Sequence, residues 1–208
     1  MILMYHHIAP AERIPRDREI HQAEGWDFTV TPESLDFHLS HLRRKGFEIV
    51  SFSTYLEGLE TGARHQVAIT FDDGWADNFE FALPVLEKND AAALFFLVSQ
   101  PLEGIPASSR MTAEQVASLL ARGHTIGAHT RKHATLPLLT ADEQKKEIRG
   151  SREELENEFA TRVDYFAYPG GAFDVTVAEV VKESGFRAAC CSIPGGKNST
   201  GSRYWLSR

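Results

Sequence analysis

Two short and almost wholly apolar runs, Val67–Phe71 and Ala91–Val98, constrain this chain more than any other feature. Neither alternates polar with apolar residues, and both are strand-length. Uninterrupted runs of that kind belong to strands covered on both faces, as in the parallel sheets of α/β proteins. The segments around them alternate in the way such a sheet requires. Met1-Ile2-Leu3-Met4-Tyr5 reads as a first core strand, and Ala11 to Asp27 as a polar surface loop. Thr31-Pro32-Glu33 opens a helix, with Thr as N-cap and Pro at the first position, and Gly46 stops it. Phe47 to Phe52 predicts a strand, Tyr55 to Leu59 a short helix, and Asn78 to Asn89 a helix that Pro84 bends or shortens. Thr112 caps a helix ending at Gly123, Thr125 to Ala128 is a strand, and Thr140 with Glu143 forms a capping box for a helix reaching about Ala160. Val163 to Tyr168 is a strand, Asp174 to Ser184 a helix, and Phe186 to Ser192 a last strand. About seven strands with crossover helices favour a barrel-like α/β fold over an open sheet, although alternation is common to both. No linker, repeat or low-complexity tract divides residues 1–208, so we expect a single domain.

Composition excludes several classes of function. With 42% hydrophobic and 25% charged residues, the 208-residue chain is ordinary for a globular protein. A net charge of -7 argues against a nucleic-acid binder. No apolar stretch approaches the roughly 20 residues needed to span a bilayer. The first residues carry neither a basic leader nor a small-residue cleavage site, so no signal peptide is expected. The only cysteines, Cys190 and Cys191, are adjacent and poorly placed to bridge, which with the missing leader suggests reduced thiols and a cytoplasmic setting.

The chemistry-bearing residues fall at the ends of these strands. Asp72-Asp73-Gly74 follows Val67–Phe71, His129 and His133 follow Thr125–Ala128, Tyr168-Pro169-Gly170-Gly171 ends another strand, and His6-His7 closes the first. In barrel enzymes the carboxyl ends of the strands build the active site. Two charges at the tip of a buried strand are costly unless a cation binds there or one of them works as a base. Two imidazoles four residues apart can reach one cation, and two His with one carboxylate form a catalytic ligand set with open positions. Zinc is the default for such ligands, and cobalt, nickel or iron fit them as well. One aspartate suffices for the metal; the other can take a proton from a water that the ion acidifies. Gly170 and Gly171 would let backbone N–H groups approach a substrate oxygen. Each piece also has a plainer explanation. The histidines alone would be surface residues of a loop, the aspartates an N-cap pair over the Asn78 helix, and Pro-Gly-Gly a turn.

These residues resemble the polysaccharide deacetylases with a NodB homology domain, also called carbohydrate esterase family four. Thr70-Phe71-Asp72-Asp73-Gly74 is similar to that family's first motif in every position, and His129-Thr130-Arg131-Lys132-His133 to its second. The resemblance implies a distorted (β/α) barrel of about seven parallel strands. It makes Asp72 the catalytic base and Asp73, His129 and His133 the metal ligands. Phe166-Ala167-Tyr168-Pro169-Gly170-Gly171 resembles the third motif, which implies that Tyr168, Pro169 and Gly170 form one side of the groove and that Gly170 supplies a backbone oxyanion donor. Many members carry an arginine in that motif that steadies the catalytic aspartate; Ala167 stands in its place. The fourth, aspartate–tryptophan motif has no clear counterpart, and the fifth, a Leu-x-His that supplies the general acid, is missing. Tyr5-His6-His7 is similar to the branch of poly-N-acetylglucosamine deacetylases whose acid lies on the first strand, making His6 the candidate acid. On the plainer reading His6 is a packed strand histidine and His7 a surface one. The function implied is metal-dependent removal of an N-acetyl group from an amino sugar in a polysaccharide, glycolipid or sugar intermediate. Alternatives are a deformylase, an O-acetyl esterase, or a non-catalytic carbohydrate-binding relative. The sugar, its chain length and the oligomeric state are open.

Overall fold

The computed structural model describes all of residues 1–208. Its strands are β1 (Ile2–Tyr5), β2 (His7–Ile8), β3 (Thr29–Val30), β4 (Glu48–Ile49), β5 (Gln66–Phe71), β6 (Ala93–Leu97), β7 (Thr125–Ala128), β8 (Tyr165–Ala167) and β9 (Ala188–Cys190). Its α-helices are α1 (Arg18–Ala23), α2 (Pro32–Arg44), α3 (Phe52–Thr61), α4 (Leu83–Lys88), α5 (Ala113–Ala121), α6 (Ala141–Phe159) and α7 (Val175–Glu183). Seven strands form one sheet in which β1, β5, β6, β7, β8 and β9 lie side by side in that order, while β4 pairs with the first two residues of β5. Every pairing is parallel. The sheet curls into a distorted, open barrel with helices outside, the alternative favoured from the sequence over an open sheet. Strands β2 and β3 pair separately at its rim.

Pleating sorts each strand between two cores. In β5, Val67, Ile69 and Phe71 join the larger core under the helices, with Leu35, Leu86, Leu119 and Val181. Ala68 faces the barrel interior with Leu94, Phe96, Tyr165, Ala167, Cys190 and Leu206. Because side chains alternate along a strand, Thr70 and Asp72 continue the interior row begun by Ala68. Strand β8 divides in the same way, with Tyr165 and Ala167 inward and Phe166 and Tyr168 outward. The outer packing is aromatic at its centre: Phe71 and Phe95 stack with ring centroids 4.9 Å apart.

The predicted elements hold in type, with informative differences in extent. The strand expected from Phe47 to Phe52 shrinks to β4 because Ser51 accepts from the Thr54 N–H and starts α3 early. The region Asn78–Asn89 is not one α-helix. It begins as a wide π turn over Asn78–Ala82 and continues as α4, with the Leu83 N–H bonded to Asn78 O. Pro84 has no N–H to donate within the first turn, which favours such a transition. The stretch Ala11–Asp27, expected as loop, contains α1, capped by Asp17, and folds back so that Trp26 stacks on His7 at 4.1 Å. No helix is long and apolar enough to cross a membrane.

Candidate active site

Strands β5 and β7, with β6 between them, end at the same rim of the sheet and bring the first two motifs together. Asp73 takes a left-handed backbone, φ 71°, and Gly74 follows at φ 78°. Aspartate tolerates that region better than most residues, and the turn aims its carboxylate across the strand ends. A side chain at 74 would be strained at this φ and would also press on Leu97 Cδ2, 2.8 Å from a Cβ placed there. Asp73 Oδ1 sits 3.5 Å from His129 Nε2 and 3.3 Å from His133 Nε2. One ligand atom from each of the three residues lies within 4.8 Å of the others. Trp75 Nε1 donates to Asp73 Oδ2 at 3.1 Å, while Oδ1 is buried without a hydrogen-bond partner. His129 Nδ1 donates to Ala167 O at 2.8 Å. A carbonyl only accepts, so Nδ1 carries the proton and Nε2 keeps its lone pair for a ligand. Burial pushes the His129 imidazolium down to about 4, against the pull of Asp72 and Asp73, so the ring is neutral at pH 7. An orphaned buried carboxylate oxygen facing two imidazole nitrogens is costly alone and fits a divalent cation.

The loop between the two histidines is held from outside. Thr130 and His133 both adopt positive φ, 63° and 55°, conformations that cost energy unless the surroundings impose them. Glu147 on α6 imposes them in part: its Oε2 accepts from the Arg131 and Lys132 N–H groups, each at 2.9 Å. One turn on, Gly150 gives room for the Arg131 stem, since a Cβ there would meet Arg131 Cδ at 2.8 Å. Glu154, a further turn along, bonds Arg131 Nε, Ser99 and Gln100. One face of α6 is thus built to grip the loop.

Asp72 points into the barrel, where only 2% of it is exposed. Both of its oxygens are bonded by Arg208, at 2.5 and 2.6 Å. Burial alone would raise the Asp72 carboxyl, but the charge of Arg208, with His129 adding, carries it down to about 2. Asp72 is therefore ionised at any ordinary pH. Neither aspartate caps the following helix; Asp77 occupies that position. Sequence reading missed Arg208, which lies 136 residues from Asp72 and has no motif around it.

His6, between β1 and β2, and His7, in β2, do not take the places that the plainer reading gave them. His7 is the buried one, 1% exposed, stacked between Trp26 and Trp75 and bonded to Asp77 and to Glu24 O. It braces Trp75, which in turn holds Asp73. His6 is half-buried beside Phe28. The register Tyr5↔Phe71 makes it the neighbour of Asp72 across the strand ends. In the third motif, Tyr168 does not serve the groove through its side chain. It lies outward by strand parity, fully buried, stacks on Phe173 and donates to Tyr204 O at 2.7 Å. Pro169 is buried too and has no N–H, whereas Gly170 is exposed and left-handed at φ 60°. Of this turn, Gly170 alone keeps the features expected of a backbone donor.

The model of the polysaccharide deacetylase family matches residues 60–189, which include the segments Thr70–Gly74, His129–His133 and Phe166–Gly171. The chain belongs to that family. Membership places it among hydrolases that deacetylate carbohydrates. Along its whole length the chain is 26% identical to YxkH of Bacillus subtilis, over 210 residues, and spans 69% of that protein. It is 31% identical over 101 residues to a chitin deacetylase of Colletotrichum lindemuthianum, covering 49% of this chain and 38% of that one. The structure of Streptococcus pyogenes deacetylase PplD in complex with acetate superposes with a TM-score of 0.83 at 23% identity, over 100% of this chain and 89% of that one. That likeness concerns the fold.

Proposed function

We propose that this polysaccharide deacetylase family member is a metal-dependent hydrolase that removes the N-acetyl group from an amino sugar of a carbohydrate substrate. One observation carries the reading. The Asp73–His129–His133 cluster has a second carboxylate, Asp72, beside it that is ionised and takes no part in the cluster. A structural metal site or a sugar-binding surface has no use for that spare carboxylate. The similarity to a chitin deacetylase supports an N-acetylated glycan as the substrate class.

Asp73, His129 and His133 would hold the divalent ion, zinc being the default for this donor set, with cobalt, nickel or iron also accommodated. When bound, the ion supplies Lewis acidity, polarising the acyl carbonyl and making water a stronger acid. The chain's own residues do the rest. Asp72 accepts the proton of the attacking water as its oxygen bonds to the acyl carbon. The Gly170 N–H is assigned to the oxygen that becomes negative. His6, next to Asp72 across the strand ends, donates a proton to the sugar nitrogen as the C–N bond breaks. Acetate and a free amino sugar are the products. The second reading, a deformylase or O-acetyl esterase on the same machinery, differs only in the acyl group and the leaving atom. Assaying N-acetyl, N-formyl and O-acetyl forms of one glucosamine oligosaccharide in parallel separates the three. We expect the N-acetyl form to be turned over with the highest kcat/KM; hydrolysis of the ester alone would overturn the reading.

A further inference from the structure

Arg208 reaches Asp72 by a route that belongs to no strand of the sheet. Beyond β9 the chain turns back, and Leu206 forms a parallel bridge with Cys190, its N–H bonding Ala189 O and its carbonyl accepting from the Cys191 N–H, both at 2.8 Å. This return lays residues 204–208 along the open edge of the barrel and delivers the Arg208 side chain into the interior, with none of it exposed. There Nη1 donates to Asp72 Oδ1 and to Thr70 Oγ1, Nη2 to Asp72 Oδ2, and Nε to Cys191 O. Four of the five N–H bonds of the guanidinium are thereby used. The ring of Phe96 closes the side chain from below, 5.4 Å from the guanidinium carbon.

We propose that Arg208 is the positioning residue for Asp72, fixing the plane and the free edges of its carboxylate toward the reacting water. The proposal rests on the assignment of Asp72 as the base. The torsion that turns a carboxylate about its own axis is broad and two-fold, so a lone aspartate at a strand tip does not hold one orientation. A guanidinium fork bonded to both oxygens removes that freedom and leaves each oxygen a further lone pair for a proton. Stability is a poor explanation for the pair, because apolar residues of similar volume often replace a buried ion pair without loss. Nor is another cation at hand: position 167 of β8 is a buried alanine packed in the same interior cluster as Cys190 and Leu206. Lysine, a point charge on a flexible stem, would balance the charge of Asp72 without setting its plane.

The test compares wild type with Arg208→Lys, Arg208→Met and Arg208→Ala, measuring kcat and KM on an N-acetylated chitooligosaccharide and zinc affinity by chelator competition. We expect kcat of Arg208→Met to fall by roughly a hundredfold, with KM within about threefold and zinc affinity unchanged, as for a misplaced reacting group. Arg208→Lys should recover about a tenth of wild-type kcat. Guanidinium chloride at millimolar concentration should raise kcat of Arg208→Ala and leave Arg208→Lys unaffected. Wild-type kcat in Arg208→Met would overturn the proposal while Asp72 stays the base. If removing the buried cation prevents folding, Arg208→Lys decides alone: a tenfold drop in kcat supports positioning, and an unchanged kcat overturns it. Wild type with no turnover on any N-acetyl sugar would instead overturn the functional reading and this proposal with it, a result visible before any variant is made.

Discussion

At the scale of single residues, the centre of the site is a division of labour between neighbours with opposite surroundings. Asp72 continues the interior row of β5 and is locked by a buried cation, while Asp73 swings out through a left-handed turn to face two imidazoles. That separation predicts separable effects of mutation. Asp72→Asn should lower kcat by about a thousandfold with zinc affinity within about threefold of wild type, whereas His6→Gln should lower kcat by about a hundredfold, within the range for loss of general acid–base catalysis. Steady-state kinetics beside chelator competition checks both. Loss of zinc binding in Asp72→Asn would reverse the roles given to the two aspartates. Asp72, Asp73, His129, His133 and His6 stand out in the sequence because each lies in a short motif at the end of a strand-like run. Tyr168 was misjudged because strand parity turns its side chain outward to Phe173 and Tyr204.

At the scale of elements, α6 does more than cover the sheet. Its first turn is set by the Thr140–Glu143 capping box, and that start places Glu147, Gly150 and Glu154 on the face toward the His129–His133 loop. Glu147→Ala frees two backbone N–H groups of the loop and should weaken zinc affinity by about tenfold, as for other outer-shell partners, without melting the helix. Chelator competition and circular dichroism read the two effects separately. On the far side of the sheet, His124 accepts from the Ala93 N–H at 3.2 Å through Nδ1, at the start of β6. Burial lowers its pKa, with Glu87 opposing and Arg122 assisting. The sign is fixed by the depressed folded value: the unfolded chain takes up the proton first as pH falls below about 6.5. Stability from neutral His124 is therefore complete above that pH and is lost as pH drops through the folded value. The Tm difference between pH 7 and pH 5 should shrink in His124→Gln; an unchanged difference would remove His124 from the acid response. The capping signals that opened α2, α5 and α6 were all readable, since a cap is local in sequence. Helix α1, although Asp17 caps it locally, was not, because its six residues bury none of their side chains and show no apolar stripe.

At the scale of the whole molecule, an open parallel barrel gathers four strand ends at one rim and leaves an edge between β1 and β9. The fold class followed from the alternation of apolar runs with capped helices. The segment that fills the edge did not, because a contact 136 residues apart leaves no periodicity to read. That segment carries the guanidinium that bonds both oxygens of Asp72 beside the Asp73–His129–His133 cluster. The proposed function depends on the cluster of Asp73, His129 and His133 working in catalysis. Mass spectrometry of a panel of N-acetyl amino sugars, incubated with protein as purified, with protein stripped by chelator, and with stripped protein given back zinc, measures this directly. We predict loss of one acetyl mass with the purified protein, none with the stripped protein while its circular dichroism stays folded, and return of activity with zinc. Deacetylation that persists unchanged after stripping would contradict a metal-dependent mechanism at this cluster.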